Sequence, residues 1–144
     1  TGLRRASYAS VPQAVFTHPQ AAAVGMSEEE ARAAFGQRVR VHYNRYSSIV
    51  AGMAMGYSRR REDDGFAKII SDDQKRILGA HIVGLQAAAL VQPYAFLMNA
   101  GGEEQAETPG TWLPVERAMT IHPALSELAA WALIYPPAED AGEN

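Results

Sequence analysis

The strongest constraint on the fold is a pair of β-rich runs separated by a short polar segment. Residues 65–70 (Gly-Phe-Ala-Lys-Ile-Ile) and 76–83 (Arg-Ile-Leu-Gly-Ala-His-Ile-Val) flank the polar residues 72–75 (Asp-Asp-Gln-Lys). Two such runs joined by a short polar loop are typical of an antiparallel hairpin. The pattern therefore predicts a hairpin against which other elements can pack.

Shorter patterns before the hairpin predict further strands and one helix. Residues 11–16 and 21–25 predict two small strands, and residues 39–43 alternate with the period of a half-buried strand. Ser27 and Glu30 form the sequence pattern of a capping box, which predicts the start of a helix that ends at Gly36.

Two segments rich in small and apolar residues are less regular. Residues 47–56 contain two glycines and do not predict a helix, and Met53 and Met55 within them suit a core or an interface. Residues 86–98 are apolar nearly all round, which predicts a helix buried against the sheet, with a partner subunit as a further surface that could cover it. Pro93 is expected to kink that helix or divide it in two. Residues 101–110 predict a polar surface loop, and residues 114–118 predict one helical turn.

Composition excludes several classes of protein. The chain has 144 residues, 47% of them hydrophobic and 20% charged, as expected for one globular domain. A net charge of -3 without a basic stripe gives no reason to expect nucleic acid binding. No apolar run approaches the ~20 residues of a membrane span. The N-terminus, Thr1-Gly-Leu-Arg-Arg, has no signal-peptide pattern. It also lacks an initiator Met, so we expect a piece of a longer or processed protein.

The side chains available for chemistry are also limited. The chain has no cysteine, which excludes a disulfide scaffold or a cysteine nucleophile within it and is compatible with a cytoplasmic location. The histidines His18, His42, His81 and His122 lack paired metal-ligand spacing, so no metal site is expected. The sequence contains no Gly-x-Gly-x-x-Gly pattern for binding a dinucleotide.

Residues 119–128 (Met-Thr-Ile-His-Pro-Ala-Leu-Ser-Glu-Leu) carry the pattern most suggestive of a site. Pro123 suits the first position of a helix, which would place His122 at its entrance and Glu127 one turn inside. A carboxylate there is favoured by the helix dipole and can reach back towards the entrance. His122 could then donate one N–H to Glu127 and present its other nitrogen outward, as in acid–base sites. The alternative is a capping histidine and a dipole-favoured glutamate without chemistry.

The pattern His-Pro-x-Leu-Ser-Glu at residues 122–127 resembles the active-site signature of the FAD-dependent pyridine nucleotide-disulfide oxidoreductases. Residues 15–28 resemble the opening segment of that family's C-terminal domain. The two hairpin runs and the helix after them resemble the segments that follow. These segments occur in the same order as in the family, over nearly the whole chain. The family includes dihydrolipoamide dehydrogenase, glutathione reductase, mycothione reductase and mercuric reductase.

The resemblance implies an α+β fold, an antiparallel sheet with helices packed on it, that forms much of a homodimer interface. On this reading residues 1–10 are a lead-in, residues 11–137 the dimerisation domain and residues 138–144 a flexible acidic tail. The domains that bind FAD and NAD(P)H and carry the redox-active cysteines would be absent from this chain. The isolated chain would then be inactive.

The resemblance also implies roles for individual residues. His122 would be the acid–base group for the partner subunit's redox disulfide, and Glu127 would orient it. His122 and Pro123 would lie near the partner's flavin, joined by a cis peptide bond. Where the family often has Asp and Glu, this chain has His18 and Gln20, to which we assign no function.

Two other interpretations stay open at this point. The chain could be a stand-alone dimerisation or binding module that has lost catalysis, or an unrelated α+β metalloprotein. The substrate (dihydrolipoamide, glutathione, mycothiol or mercuric ion) and the choice between NADH and NADPH would be read by residues outside this chain.

Overall fold

The computed structural model describes residues 10–60, 62–100 and 110–135. The strands are β1 (Gln13–Val15), β2 (Gln20–Gly25), β3 (Arg40–Arg45), β4 (Phe66–Ser71) and β5 (Ile77–Gly84). The α-helices are α1 (Glu28–Phe35), α2 (Val50–Ala54), α3 (Ala87–Met98), α4 (Leu113–Arg117) and α5 (Glu127–Ile134). Within these ranges no helix is long and apolar enough to cross a membrane.

The strands form a five-stranded sheet in the order β1-β2-β5-β4-β3. Each neighbouring pair is antiparallel. β4 and β5 are the predicted hairpin, with Ile69 opposite Ala80 and a register shift between Ile70 and Ser71. The α+β class predicted from the family resemblance is confirmed.

Helices cover the two faces of the sheet unequally. α3 packs on β2 and β5, and α5 packs on β3 and β4. These contacts belong to the larger core, which includes Ile69 and Ile82. Ile70 points to the opposite face, because successive side chains of a strand alternate. There it joins a smaller core with Ala31 of α1.

The turn between β4 and β5 is built around one buried carboxylate. Asp72 accepts hydrogen bonds from the backbone N–H groups of Gln74 and Arg76, both at 2.9 Å, and from Arg76 Nε at 2.6 Å. Burial alone would raise the pKa of Asp72, but these hydrogen bonds and the Arg76 charge together lower it. The predicted polar loop is therefore closed by specific hydrogen bonds.

Replacing Asp72 by alanine should destabilise the fold by roughly 1–3 kcal/mol at neutral pH, because its donors lose their acceptor. Since folding lowers this pKa, the contribution of Asp72 is fully present above the unfolded-state value, ordinarily 3.8. It is lost as the pH falls through the lower folded-state pKa. Urea unfolding of the unmodified protein and of Asp72→Ala, at about pH 7 and about pH 2, measures the difference in their free energies of unfolding. Asp73→Ala is the matched control, because Asp73 is exposed. An equal loss of unfolding free energy in both variants would contradict the role of Asp72.

Some helical predictions hold and others fail. The capping box is present, with Glu30 N–H donating to Ser27 Oγ and Ser27 N–H donating to the Glu30 carboxylate. α2 forms although residues 47–56 did not predict a helix. A Cβ on Gly52 would lie 2.0 Å from the Tyr46 carbonyl oxygen, so the glycine permits a close approach. Met53 is 53% exposed and is therefore not a core residue in this chain.

Of the two outcomes predicted for Pro93, a kink or a division of the helix, the division does not occur, because α3 runs as one helix through Pro93. Val91, Tyr94 and Ala95 are buried on both sides of the proline, and this packing holds the helix to the sheet. Phe96 is 66% exposed in the single chain, so the sheet covers only part of the helix, and its contact with a partner subunit stays a prediction. The predicted lead-in (residues 1–10), the loop at residues 101–110 and the acidic tail (residues 138–144) lie outside the described residues, apart from Ser10 and Gly110.

Candidate active site

The segment before α5 differs from the predicted helix entrance. The His122-Pro123 bond is cis, as expected from the resemblance. However, α5 begins at Glu127 rather than at Pro123. The intervening residues form a turn in which Glu127 N–H donates to the Ala124 carbonyl at 3.2 Å. This turn buries Leu125 in the larger core before the helix starts. The sequence pattern placed the helix start too early because it did not reveal this burial.

His122 and Glu127 nevertheless meet as the sequence predicted. His122 Nδ1 lies 2.5 Å from Glu127 Oε1. The His122 side chain is 55% exposed, whereas that of Glu127 is 1% exposed. An ionised carboxylate can only accept hydrogen bonds, so Nδ1 carries the proton that is shared with it. Nε2 is then the ring nitrogen that can accept a proton from another molecule.

The buried carboxylate of Glu127 is satisfied on both oxygens. Oε1 contacts His122, and Oε2 accepts the backbone N–H of Ala124 at 3.1 Å. A buried charge needs such partners, and the start of a helix also favours a negative charge. The arrangement keeps the Glu127 carboxylate in hydrogen-bond contact with the half-exposed imidazole of His122.

The helix that carries Glu127 is fixed to the sheet. Asn44 Nδ2 of β3 donates to the Leu128 carbonyl at 3.0 Å. Leu128 is fully buried in the larger core. Functional groups on a rigid element keep their geometry better than groups on loops. Sequence reasoning did not assign Asn44, since nothing in the sequence shows that β3 lies beside α5.

The indole ring of Trp131 lies nearly parallel to the imidazole ring of His122. The centroids of the His122 and Trp131 rings are 6.0 Å apart and their planes differ by 14°. Tyr135 in turn contacts Trp131 edge-on at 5.7 Å. Trp131 was not predicted as a site residue. The available signal was its position four residues after Glu127, which places both on one face of a helix.

An exposed apolar groove lies beside this pair. It has a volume of about 660 Å³ and is lined by residues of α3, α4, α5 and the segment before His122. Met119 is 98% exposed and Ile121 is 78% exposed. Apolar surfaces of this kind often mark interaction sites. We call it the α3–α5 groove; its lining includes Leu90, Pro93, Phe96, Val115, Met119 and Ile121.

The other histidines take no part in this arrangement. His42 Nε2 contacts Ser71 Oγ at 2.9 Å, and burial lowers the pKa of His42. His81 Nε2 contacts the Met26 carbonyl at 2.9 Å. His18 precedes a second cis peptide bond, to Pro19, which was not predicted. In the part of the chain that the structure describes, no group of three His, Asp or Glu side chains could hold a metal ion.

Comparison with known proteins agrees with this architecture. The pyridine nucleotide-disulphide oxidoreductase dimerisation domain matches residues 11–133. Mycothione reductase of Mycobacterium tuberculosis is 38% identical over 125 residues, which cover 86% of this chain and 24% of the relative. An uncharacterised 19.7 kDa protein of the Staphylococcus aureus mercuric resistance operon is 34% identical over 99 residues, covering 68% of this chain and 52% of that protein.

A solved structure shows the same likeness. The Cu(II) complex of the HOCl-induced flavoprotein disulfide reductase RclA from Escherichia coli matches with a TM-score of 0.65 and 25% identity. The match covers 81% of this chain and 24% of that one. The chain belongs to the pyridine nucleotide-disulphide oxidoreductase family and is its dimerisation domain. It spans about a quarter of the length of the mycothione reductase that it matches.

Proposed function

We propose that this domain serves a cytoplasmic, NAD(P)H-dependent FAD disulfide oxidoreductase by supplying His122 and Glu127 to the partner subunit's redox disulfide. One observation carries the proposal: the half-exposed imidazole of His122 is hydrogen-bonded to the buried carboxylate of Glu127, beside an exposed apolar groove. The chain has no cysteine, so the sulfur chemistry must come from another part of the enzyme.

The proposed chemistry is proton transfer during thiol–disulfide exchange. His122 Nε2 accepts the proton of the attacking thiol, because the thiolate and not the thiol is the nucleophile. Glu127 stabilises the resulting imidazolium and holds Nδ1 in place. When the thiolate leaving group forms, His122 returns the proton to it.

The residues described here suit contact with a flavin but not its retention. His122 and Pro123 are exposed. They could touch the edge of a flat ring from the partner subunit but do not enclose one. When bound, FAD supplies the electron transfer between the pyridine nucleotide and the disulfide. Because domains outside this chain would hold both FAD and NAD(P)H, we expect no reductase activity from the isolated chain.

In the proposed enzyme, a second copy of the same subunit covers the α3–α5 groove. Met119 and Ile121 belong to the groove and lie three residues and one residue before His122. A subunit covering these side chains would bring its own cysteines and flavin close to the imidazole. A permanent interface of this kind buries about 2,000 Å² or more. The membership of a dimerisation family supports a copy of the same chain as the occupant.

Complementation between two inactive full-length variants tests this arrangement. One variant carries His122→Ala and the other lacks its redox-active cysteines. A heterodimer has one site with both parts intact, so purified heterodimers should show about half the turnover of the unmodified dimer if the steps are independent of each other. If His122 served its own subunit's cysteines, every site would lack one part, and the heterodimers would stay inactive. Homodimers of each variant are the controls.

A second function is favoured by the short Staphylococcus aureus relative. A protein of 19.7 kDa, half covered by this 15.6 kDa chain, has little room for two further nucleotide-binding domains. The domain could therefore also act as a stand-alone dimerisation or binding module. The sequence encoded upstream of Thr1 distinguishes the two functions. Gly-x-Gly-x-x-Gly patterns and a cysteine pair there support the enzyme, whereas a start codon close to Thr1 supports the module.

A further inference from the structure

The orientation of His122 depends on two independent contacts. The hydrogen bond to Glu127 selects which edge of the imidazole faces α5, because Nδ1 is the ring nitrogen that contacts the carboxylate. It does not by itself fix the plane of the ring, which can swing about the Nδ1···Oε1 direction. A flat surface parallel to the imidazole restricts that swing. Trp131 provides this surface at an interplanar angle of 14°.

Trp131 is itself well placed to hold a neighbouring ring. It packs against the larger core through its buried side, and Tyr135 supports it edge-on. It lies on α5, one helical turn after Glu127, so both contacts to His122 come from the same rigid element. Two contacts from one element keep their relative positions when other parts of the domain move.

We propose that Trp131 is a positioning residue for His122. Its indole fixes the plane of the imidazole while Glu127 fixes its edge, and together they direct Nε2 away from α5. The face of an indole also attracts a nearby cation, so the same contact favours the imidazolium formed during proton transfer. This inference rests on the proposed function, because orientation of His122 affects turnover only if His122 transfers the proton.

The stacking can be measured without enzyme activity. In the unmodified 144-residue chain, NMR should show nuclear Overhauser effects between the ring protons of His122 and Trp131. The indole ring current should also displace the His122 ring protons. Trp131→Phe should keep a displacement and Trp131→Met should abolish it. Absence of the Overhauser effects in the unmodified chain, or unchanged His122 shifts in Trp131→Met, would overturn the inference.

The kinetic test uses the full-length enzyme. Trp131→Met should lower kcat for disulfide reduction about two- to tenfold and leave KM unchanged. This decrease in kcat corresponds to the interaction free energy typical of an aromatic pair. Trp131→Phe should retain most of the kcat of the unmodified enzyme. Reduction of the flavin by NAD(P)H should be unaffected. Trp112→Met is the matched control for loss of an indole, since Trp112 contacts His42 and not His122, and it should leave kcat unchanged.

The outcomes separate this inference from the proposed function. If His122→Ala abolishes turnover but Trp131→Met leaves kcat unchanged, only the positioning role of Trp131 is overturned. A KM increase with unchanged kcat, or an equal loss of kcat in Trp112→Met, overturns it as well. If His122→Ala leaves turnover unchanged, the proposed function fails, and the positioning role fails with it.

Discussion

Replacing His122 by alanine in the full-length enzyme is expected to lower the turnover of disulfide reduction by about two to four orders of magnitude. The loss follows from the geometry, because the variant removes the Nε2 acceptor and leaves Glu127 buried with one oxygen unpartnered. Stopped-flow measurement should locate the defect. Reduction of the flavin by NAD(P)H should stay rapid, while thiol–disulfide exchange becomes rate-limiting.

The chain contains a close control for this variant. His18 also precedes a proline and is exposed, but its neighbourhood differs from that of His122. Thr17 Oγ1 donates to the Pro19 carbonyl there. His18→Ala should leave turnover unchanged. If both variants were equally impaired, the loss would come from altered His-Pro segments rather than from a proton acceptor. Unchanged turnover in His122→Ala would refute the catalytic role itself.

Local patterns were sufficient for the parts of the fold that depend on neighbouring residues. The hairpin of β4 and β5 follows from two β-rich runs around a polar turn, and the start of α1 follows from Ser27 and Glu30. The contact between His122 and Glu127 is also local, because Glu127 lies five positions after His122 in the sequence. Each of these features is decided within one turn or one loop, which is the range that a sequence pattern can report.

Features that depend on distant packing could not be predicted in the same way. α2 forms around Gly52 because the chain passes close to Tyr46, and α3 continues through Pro93 because its buried side chains pack on the sheet. The start of α5 at Glu127 depends on burial of Leu125. The α3–α5 groove brings together residues of four segments. No single stretch of sequence contains the information for these contacts.

Introducing a carboxylate into the α3–α5 groove is expected to separate the subunits. Met119 is 98% exposed in the isolated chain and lines the groove three residues before His122, so the proposed interface would cover it. Met119→Glu would bury an unpaired charge, at a cost of about 3 kcal/mol or more. The dimer dissociation constant should therefore rise about 100-fold or more. Analytical ultracentrifugation over a concentration series measures the change.

A matched substitution elsewhere shows whether the groove is the interface. Met53→Glu introduces the same charge at another exposed methionine, on α2 and outside the groove, and should leave the dimer intact. Phe96 lines the groove from α3, so Phe96→Glu should dissociate the dimer as Met119→Glu does. Loss of turnover should parallel dissociation, because each site would need two subunits. A Met119→Glu enzyme that stayed dimeric, or a Met53→Glu enzyme that dissociated equally, would place the subunit contact on a different surface.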